Sequence, residues 1–318
     1  MNQEALQEFE NHLNPAKATN SKYDFEILGY GEISTVFDIK GEAFTGWAFK
    51  RLPLFKSKEQ ADKYVEFYKS YNQKLGEIGI QLPKYAGAVV KGHKGIYVAY
   101  LMQERLNGKS IAHKLLHILP DEQILILLEL VLENVLKVWK FNSENKKMVL
   151  GIDAQISNWA LKDFDENNIS VHKNSELYFI DTSTPLMQID GVEQLDAELL
   201  LKSAPGFIRP VLRMFFLDDV LTRYYSFRDI CVDILANFVK EQRSDLIEIS
   251  LPVVNRFFEN HYQIIKEKPL QAKEIYGYYK EDKLIWSIFL GTRRFDRFVQ
   301  TKIFGKRYEF ILPGNIKR

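Results

Sequence analysis

Gly151-Ile152-Asp153-Ala154-Gln155-Ile156-Ser157-Asn158 places an aspartate and an asparagine five residues apart in a short polar loop. Two brief apolar pieces, Met148 to Leu150 and Trp159 to Leu161, flank it. Before the loop, Asp121 to Phe141 carries apolar residues at helical spacing, which predicts a long buried helix capped by Asp121. After it, Leu177 to Ile180 reads as a strand ending on Asp181, and the polar run Asp163 to Ser175 fits an extended hairpin. Taken singly, each aspartate is the kind of residue that caps a turn. Together with Asn158, in this order along the chain, they are harder to dismiss as turn residues.

The first hundred or so residues follow another pattern. Phe25 to Leu28 is apolar, Gly29-Tyr30-Gly31 reads as a turn, and Ser34 to Ile39 is β-branched and aromatic. Gly41 to Gly46 reads as a hairpin tip, and Trp47 to Leu52 resumes as a strand. Ser57 and Gln60 have the spacing of a capping box. Behind them Ala61, Tyr64, Val65, Tyr68, Tyr71 and Leu75 share one helix face. Ala86 to Val90 and Gly95 to Met102 predict two more strands around the turn Lys91-Gly92-His93-Lys94. From about Val192 onward the chain reads as helices, with breaks near Pro205-Gly206-Phe207, Pro252 and Pro269. The expected fold class is α+β: a five-stranded antiparallel sheet with one helix, then a mainly helical part.

With 318 residues, 46% hydrophobic and 27% charged, the chain is of a size that suits two lobes. Lys plus Arg number 43 against 42 Asp plus Glu, so no global field draws it to nucleic acid or a membrane. The local cluster Arg293, Arg294 and Arg297 includes Asp296 and reads as a solvated helix face. Cys231 is the only cysteine, which excludes an intrachain disulfide, and its neighbours Ile230 and Val232 mark it as core. Residues 1–22 have no apolar h-region and no apolar run reaches the roughly 18 residues of a membrane span, so the cytoplasm is the expected compartment. His113 and His117, four apart, read as a surface pair.

Phosphoryl transfer needs a backbone cover for the phosphates, a lysine to neutralise them, oxygen ligands for magnesium and a carboxylate for the attacking hydroxyl. Leu28 to Val36 follows Gly-x-Gly-x-x-Gly-x-Val, with Gly29, Gly31 and Val36 in place and Ser34 at the third glycine. Lys50, fourteen residues after Val36 and among the apolar neighbours Ala48 and Phe49, wants an anionic partner. Tyr100 to Gly108 is a strand running into a turn, the form of a hinge whose backbone pairs with a base. On these residues the sequence resembles the protein-kinase-like superfamily, nearest its aminoglycoside- and choline-phosphotransferase-like branch, over about Phe25 to Ser183. Glu104-Arg105-Leu106-Asn107-Gly108 looks like the Glu-Arg-Leu-x-Gly hinge of that branch.

The resemblance implies a bilobal fold with an N-terminal extension (1–22), an N-lobe (23–104), a hinge (105–108) and a helical C-lobe (109–318). It implies ATP and Mg2+ as cofactors. Gly29, Gly31, Ser34 and Val36 would cover the phosphates, Lys50 would contact them, and Glu66 would pair with Lys50 from the helix. Ala48 would lie over adenine, with Glu104 and Leu106 at the hinge. Asp153 matches the catalytic aspartate, Asn158 and Asp181 the metal ligands. The sequence departs from the family pattern in lacking the catalytic-loop histidine, in having Asp181-Thr182-Ser183 for Asp-Phe-Gly, and in setting Glu66 opposite the apolar face of its helix. The expected function is ATP- and magnesium-dependent transfer to a small hydroxyl or amine acceptor; the acids Glu193, Asp196, Glu198, Asp218 and Asp219 either welcome a cationic acceptor or, as the plainer reading, are helix-surface carboxylates. The alternative is a pseudokinase, a nucleotide-binding scaffold that recruits a protein partner; protein phosphorylation and nucleotidyl transfer rank below both.

Overall fold

Helix makes up about 48% and strand about 19% of the computed structural model, which describes residues 2–31, 33–196, 198–202, 204–206, 208–210 and 222–314. The chain opens with α1 (Gln3–His12), capped by the Asn2 side chain, and a small hairpin of β1 (Leu13–Asn14) and β2 (Thr19–Asn20). Next come β3 (Phe25–Tyr30), β4 (Thr35–Ile39), β5 (Trp47–Phe55), α2 (Lys58–Glu77), β6 (Tyr85–Lys91) and β7 (Tyr97–Glu104). These five strands form one antiparallel sheet in the order β3-β4-β5-β7-β6. The turn expected at Gly29-Tyr30-Gly31 begins later, because β3 runs on through Gly29 and Tyr30 after a register shift between Ile27 and Gly29.

One face of the sheet receives α2. Its N-terminus is capped as the sequence predicts, with Ser57 Oγ accepting from the Gln60 N–H at 3.2 Å. Gln60 reaches back one residue further than a strict capping box, accepting from the Lys56 N–H at 3.3 Å. The helix approaches β6 closely at Gly87, where a Cβ would stand 2.5 Å from Val65 Cγ1. The opposite face is covered by α1 and by the C-terminal segment: Leu6 and Phe9 pack with Phe37, Phe49 and Tyr100, and so does Ile311. Packing therefore ignores the expected boundary at residue 22, and it carries the end of the chain back onto the sheet.

A buried ion pair fixes that cover. Arg51 donates through Nε and Nη2 to the two oxygens of Glu10, each at 2.7 Å, with both side chains 2% exposed or less. Tyr100 donates its hydroxyl to the same carboxylate at 2.6 Å, and Arg51 Nη1 donates to the Glu309 carbonyl at 2.7 Å. Thus α1, β5, β7 and the C-terminal segment meet at one carboxylate.

Beyond the sheet lie α3 (Ala112–Leu115) and α4 (Asp121–Glu144), then β8 (Met148–Leu150), β9 (Trp159–Leu161), β10 (Leu177–Phe179), β11 (Met187–Ile189) and β12 (Val192–Glu193). α5 (Glu198–Lys202), α6 (Phe227–Lys240), α7 (Leu246–Asn260), α8 (Tyr262–Ile265) and α9 (Ala272–Phe298) follow. α4 buries Leu127, Leu128, Val131, Leu132 and Val135, which places it at the centre of the larger core. β9 and β10 pair antiparallel around residues 162–176, the hairpin that the sequence predicts.

Several local expectations are corrected. Pro120, not Asp121, is the N-cap of α4, its fixed φ of −61° suiting a residue just before the helix. Pro252 lies inside α7 without ending it, since Val253, Val254 and Phe257 beyond it are held in the core. Helix begins at Glu198 rather than Val192, which lies in β12 and pairs with Ile189 of β11. Arg293 is 3% exposed and sits between the rings of Phe289 and Phe310, so the arginine cluster is not a uniformly solvated face. Among the described residues no helix is long and apolar enough to cross a membrane.

Removing one partner of a buried, hydrogen-bonded ion pair strands the other charge, at about 3–5 kcal/mol. Glu10→Ala should lower the urea-unfolding free energy by that amount, and Glu10→Leu combined with Arg51→Met should recover most of it.

Candidate functional site

Strand alternation sends Lys50 to the face opposite Arg51. There it borders a cavity of about 480 Å3 between the sheet and the helical part. Gly29, Gly31, Val36, Ala48, Lys50, Glu104, Leu106, Asn158 and Asp181 all line it. Residues 131 positions apart meet across it, Lys50 Nζ donating to both Asp181 oxygens at 2.7 and 2.9 Å. Burial alone raises the Asp181 carboxyl, but the Lys50 ammonium and the Ser183 hydroxyl outweigh it and hold the carboxyl below its usual value.

The loop from Gly151 to Asn158 is anchored along its length. Gly151 donates its N–H to the Leu186 carbonyl at 2.9 Å and accepts from the Tyr71 hydroxyl at 2.7 Å. A single 3-10 turn, Ile156–Asn158, brings Asn158 round so that its Nδ2 donates to the Asp153 carbonyl at 2.9 Å. The Asn158 carbonyl in turn accepts from the Ile180 N–H at 2.8 Å, which locks the approach to Asp181. With Nδ2 engaged on the backbone, Oδ1 is the acceptor end of the amide, and Ser157 Oγ stands 3.5 Å from it.

Three expected site residues are not cavity-lining. Ser34 is buried behind Gly31, where a Cβ on the glycine would stand 2.7 Å from Ser34 Oγ, so a side chain at 31 would collide with the turn. Asp153 is half-buried beside the Asn158 amide, its Oδ1 accepting from the Gln155 N–H at 3.4 Å. Its carboxylate, with those of Glu193 and Asp181, reinforces the burial that drives the Tyr71 phenol far above its usual value. Glu66 is the correction. It lies on the exposed face of α2, where its wheel position puts it, and the partner of Lys50 is Asp181.

The acids proposed for a cationic acceptor are partly engaged. Glu193 accepts from the Tyr225 hydroxyl at 2.7 Å and from the Leu195 N–H at 3.0 Å, and Asp196 accepts from the Glu198 N–H. Asp218 and Asp219 lie outside the described residues.

Sequence reasoning missed Tyr68, Gln103, Thr182 and His113, all of which line the cavity. Tyr68 gave a signal of its own kind: it sits on the apolar face of α2, and that face also looks onto the cavity. His113 corrects the surface-pair reading, for His117 is exposed whereas His113 is half-buried and its Nδ1 has no hydrogen-bond partner among the described residues.

A sequence family, the family of unknown function DUF6206, matches residues 9–297. The chain belongs to that family. The matched span takes in Phe9 and Glu10 of α1, the whole cavity lining and most of α9. No curated protein matches the chain.

Burial is the main cause, with Lys114, Lys240 and His117 adding repulsion, that lowers the His113 imidazole from 6.5 to about 4. Between those values the unfolded chain binds a proton that the folded chain does not, so stability rises with pH across that window. Proton NMR should show a His113 midpoint near 4, and His113→Gln should flatten the fall in urea midpoint between pH 7 and pH 4.5.

Proposed function

We propose that this protein is an ATP- and magnesium-dependent phosphotransferase of the protein-kinase-like kind, with the nucleotide held in the cavity beside Lys50 and Asp181. On this reading the sheet with α2 is one lobe, the helical part is the other, and residues 105–108 are the hinge. The observation that carries it is the convergence of Lys50, Asp181 and Asn158 on one cavity, with Asn158 fixed by its bond to the Asp153 carbonyl. A cation, an anion and an amide from residues far apart in sequence thus border one space.

The residues present fit the ligands this reading requires. A volume of about 480 Å3 lies within the range of small-molecule sites. Its walls combine apolar groups from Val36, Ala48, Leu101 and Ile180 with the charged end at Lys50 and Asp181. At the hinge the Glu104 and Arg105 N–H groups are spent on the Lys84 and Gly46 carbonyls, whereas the Leu106 N–H has no partner among the described residues. Leu106 is then the hinge donor for a base.

Among the described residues no three His, Cys, Asp or Glu side chains cluster to hold a metal by themselves. That agrees with magnesium, which takes one or two protein oxygens and completes its shell with phosphate and water. Asp181 and Asn158 Oδ1 would hold it, and when bound it supplies neutralising charge to the phosphates. Lys50 would then exchange its contact with Asp181 for one with phosphate. Asp153 would orient the acceptor hydroxyl and take its proton as the new P–O bond forms and the bond to the departing ADP breaks.

Calorimetry of ATP binding, with and without magnesium, tests this reading. Wild type should bind more tightly with magnesium, and Asp181→Ala should lose at least about tenfold of that binding, or about 1.4 kcal/mol. No binding by wild type, or equal binding by both proteins, would overturn it and leave a scaffold as the better account.

A further inference from the structure

In the described site no acidic side chain of α2 reaches Lys50, yet α2 is bonded to the loop that carries Asp181 at two successive residues. Thr182 Oγ1 donates to Asn72 Oδ1 at 2.8 Å, and the Ser183 carbonyl accepts from the Tyr64 hydroxyl at 2.7 Å. Asn72 Nδ2 donates to the Tyr68 carbonyl at 2.7 Å, so both ends of its carboxamide are engaged. Thr182 also accepts from Gln103 Nε2 at 3.3 Å, which joins the strand entering the hinge to the same hydroxyl. Asn72 is 0% and Thr182 1% exposed. At this depth a group left without its partner costs more than the bond itself contributes.

From these contacts we propose that Thr182, bridged between Asn72 and Gln103, is the positioning residue that holds Asp181 in place for magnesium-bound nucleotide. The inference rests on the phosphotransferase reading. Each residue of Asp181-Thr182-Ser183 has its own fastening: Asp181 to Lys50 and to Ser183 Oγ, Thr182 to Asn72, Ser183 to Tyr64. A valine or phenylalanine at 182 would leave Asn72 Oδ1 without its Thr182 partner. The bonds to α2 are neutral, so salt does not screen them as it screens an exposed ion pair.

Thr182→Val removes the hydroxyl at nearly constant volume, and Thr182→Ser keeps it. Calorimetry should find that the gain in ATP affinity from magnesium falls about three- to tenfold in Thr182→Val and is kept in Thr182→Ser, the range expected for one hydrogen bond. An undiminished gain in a Thr182→Val protein whose thermal melt shows it folded would overturn the proposal. A second readout needs no nucleotide: the three-bond NMR couplings about the Asp181 χ1 bond at fixed pH. They should report one rotamer in wild type and Thr182→Ser and an averaged one in Thr182→Val, and unchanged couplings in Thr182→Val would also overturn the positioning role. If wild type binds no ATP, the phosphotransferase reading fails by itself, and the couplings still decide whether Thr182 positions Asp181.

Discussion

Two cations stand next to each other on β5, and a strand must send them to opposite faces. Lys50 and Arg51 are both largely withdrawn from water, with side chains 17% and 2% exposed, so each needs a carboxylate nearby. Arg51 finds Glu10, 41 residues before it, and the carbonyl of Glu309, 258 residues after it. Lys50 finds Asp181, 131 residues after it. One dipeptide thereby fastens the start of the chain, its end and the Asp181 loop to the same strand. The cover on one face and the cavity on the other are consequences of how those two charges are met.

The two pairs differ in what they leave free. Arg51 and Glu10 are sealed with Tyr100 and serve the fold alone. Lys50 and Asp181 border open volume, with the Asp181 side chain 39% exposed, so a ligand can compete for either charge. Around them the fastening is done by uncharged groups: Tyr64, Tyr71 and Asn72 from α2, and the Asn158 amide from the loop itself. An exchange of charged partners within the cavity can then occur while the loops carrying Asp153 and Asp181 keep their places.

Much of this was legible in the sequence, and the reasons are local. The five strands have period-two or β-branched character, α2 announces itself by Ser57 and its apolar face, and Asp153, Asn158 and Asp181 stand in polar loops bounded by short apolar strands. Burial of Lys50 among apolar neighbours correctly implied an anionic partner. What failed to show was long-range. Nothing in Gln3 to His12 says that Glu10 will meet Arg51, and nothing near Tyr308 says that Ile311 will return to the sheet. The wheel position of Glu66 did indicate that it faces away, and the family pattern alone had suggested otherwise. Tyr68, Asn72 and Thr182 read as core or turn residues because their polar atoms are satisfied by one another, and a sequence does not display pairings 110 residues apart.

The central claim is that an adenine nucleotide occupies the cavity between the sheet and the helical part. Photolabelling with 8-azido-ATP, followed by peptide mapping, tests that most directly. The account predicts saturable labelling, competed by ATP, on peptides that contain 28–36, 46–50 or 104–113. Labelling confined to other peptides, or labelling that ATP does not compete, would contradict it.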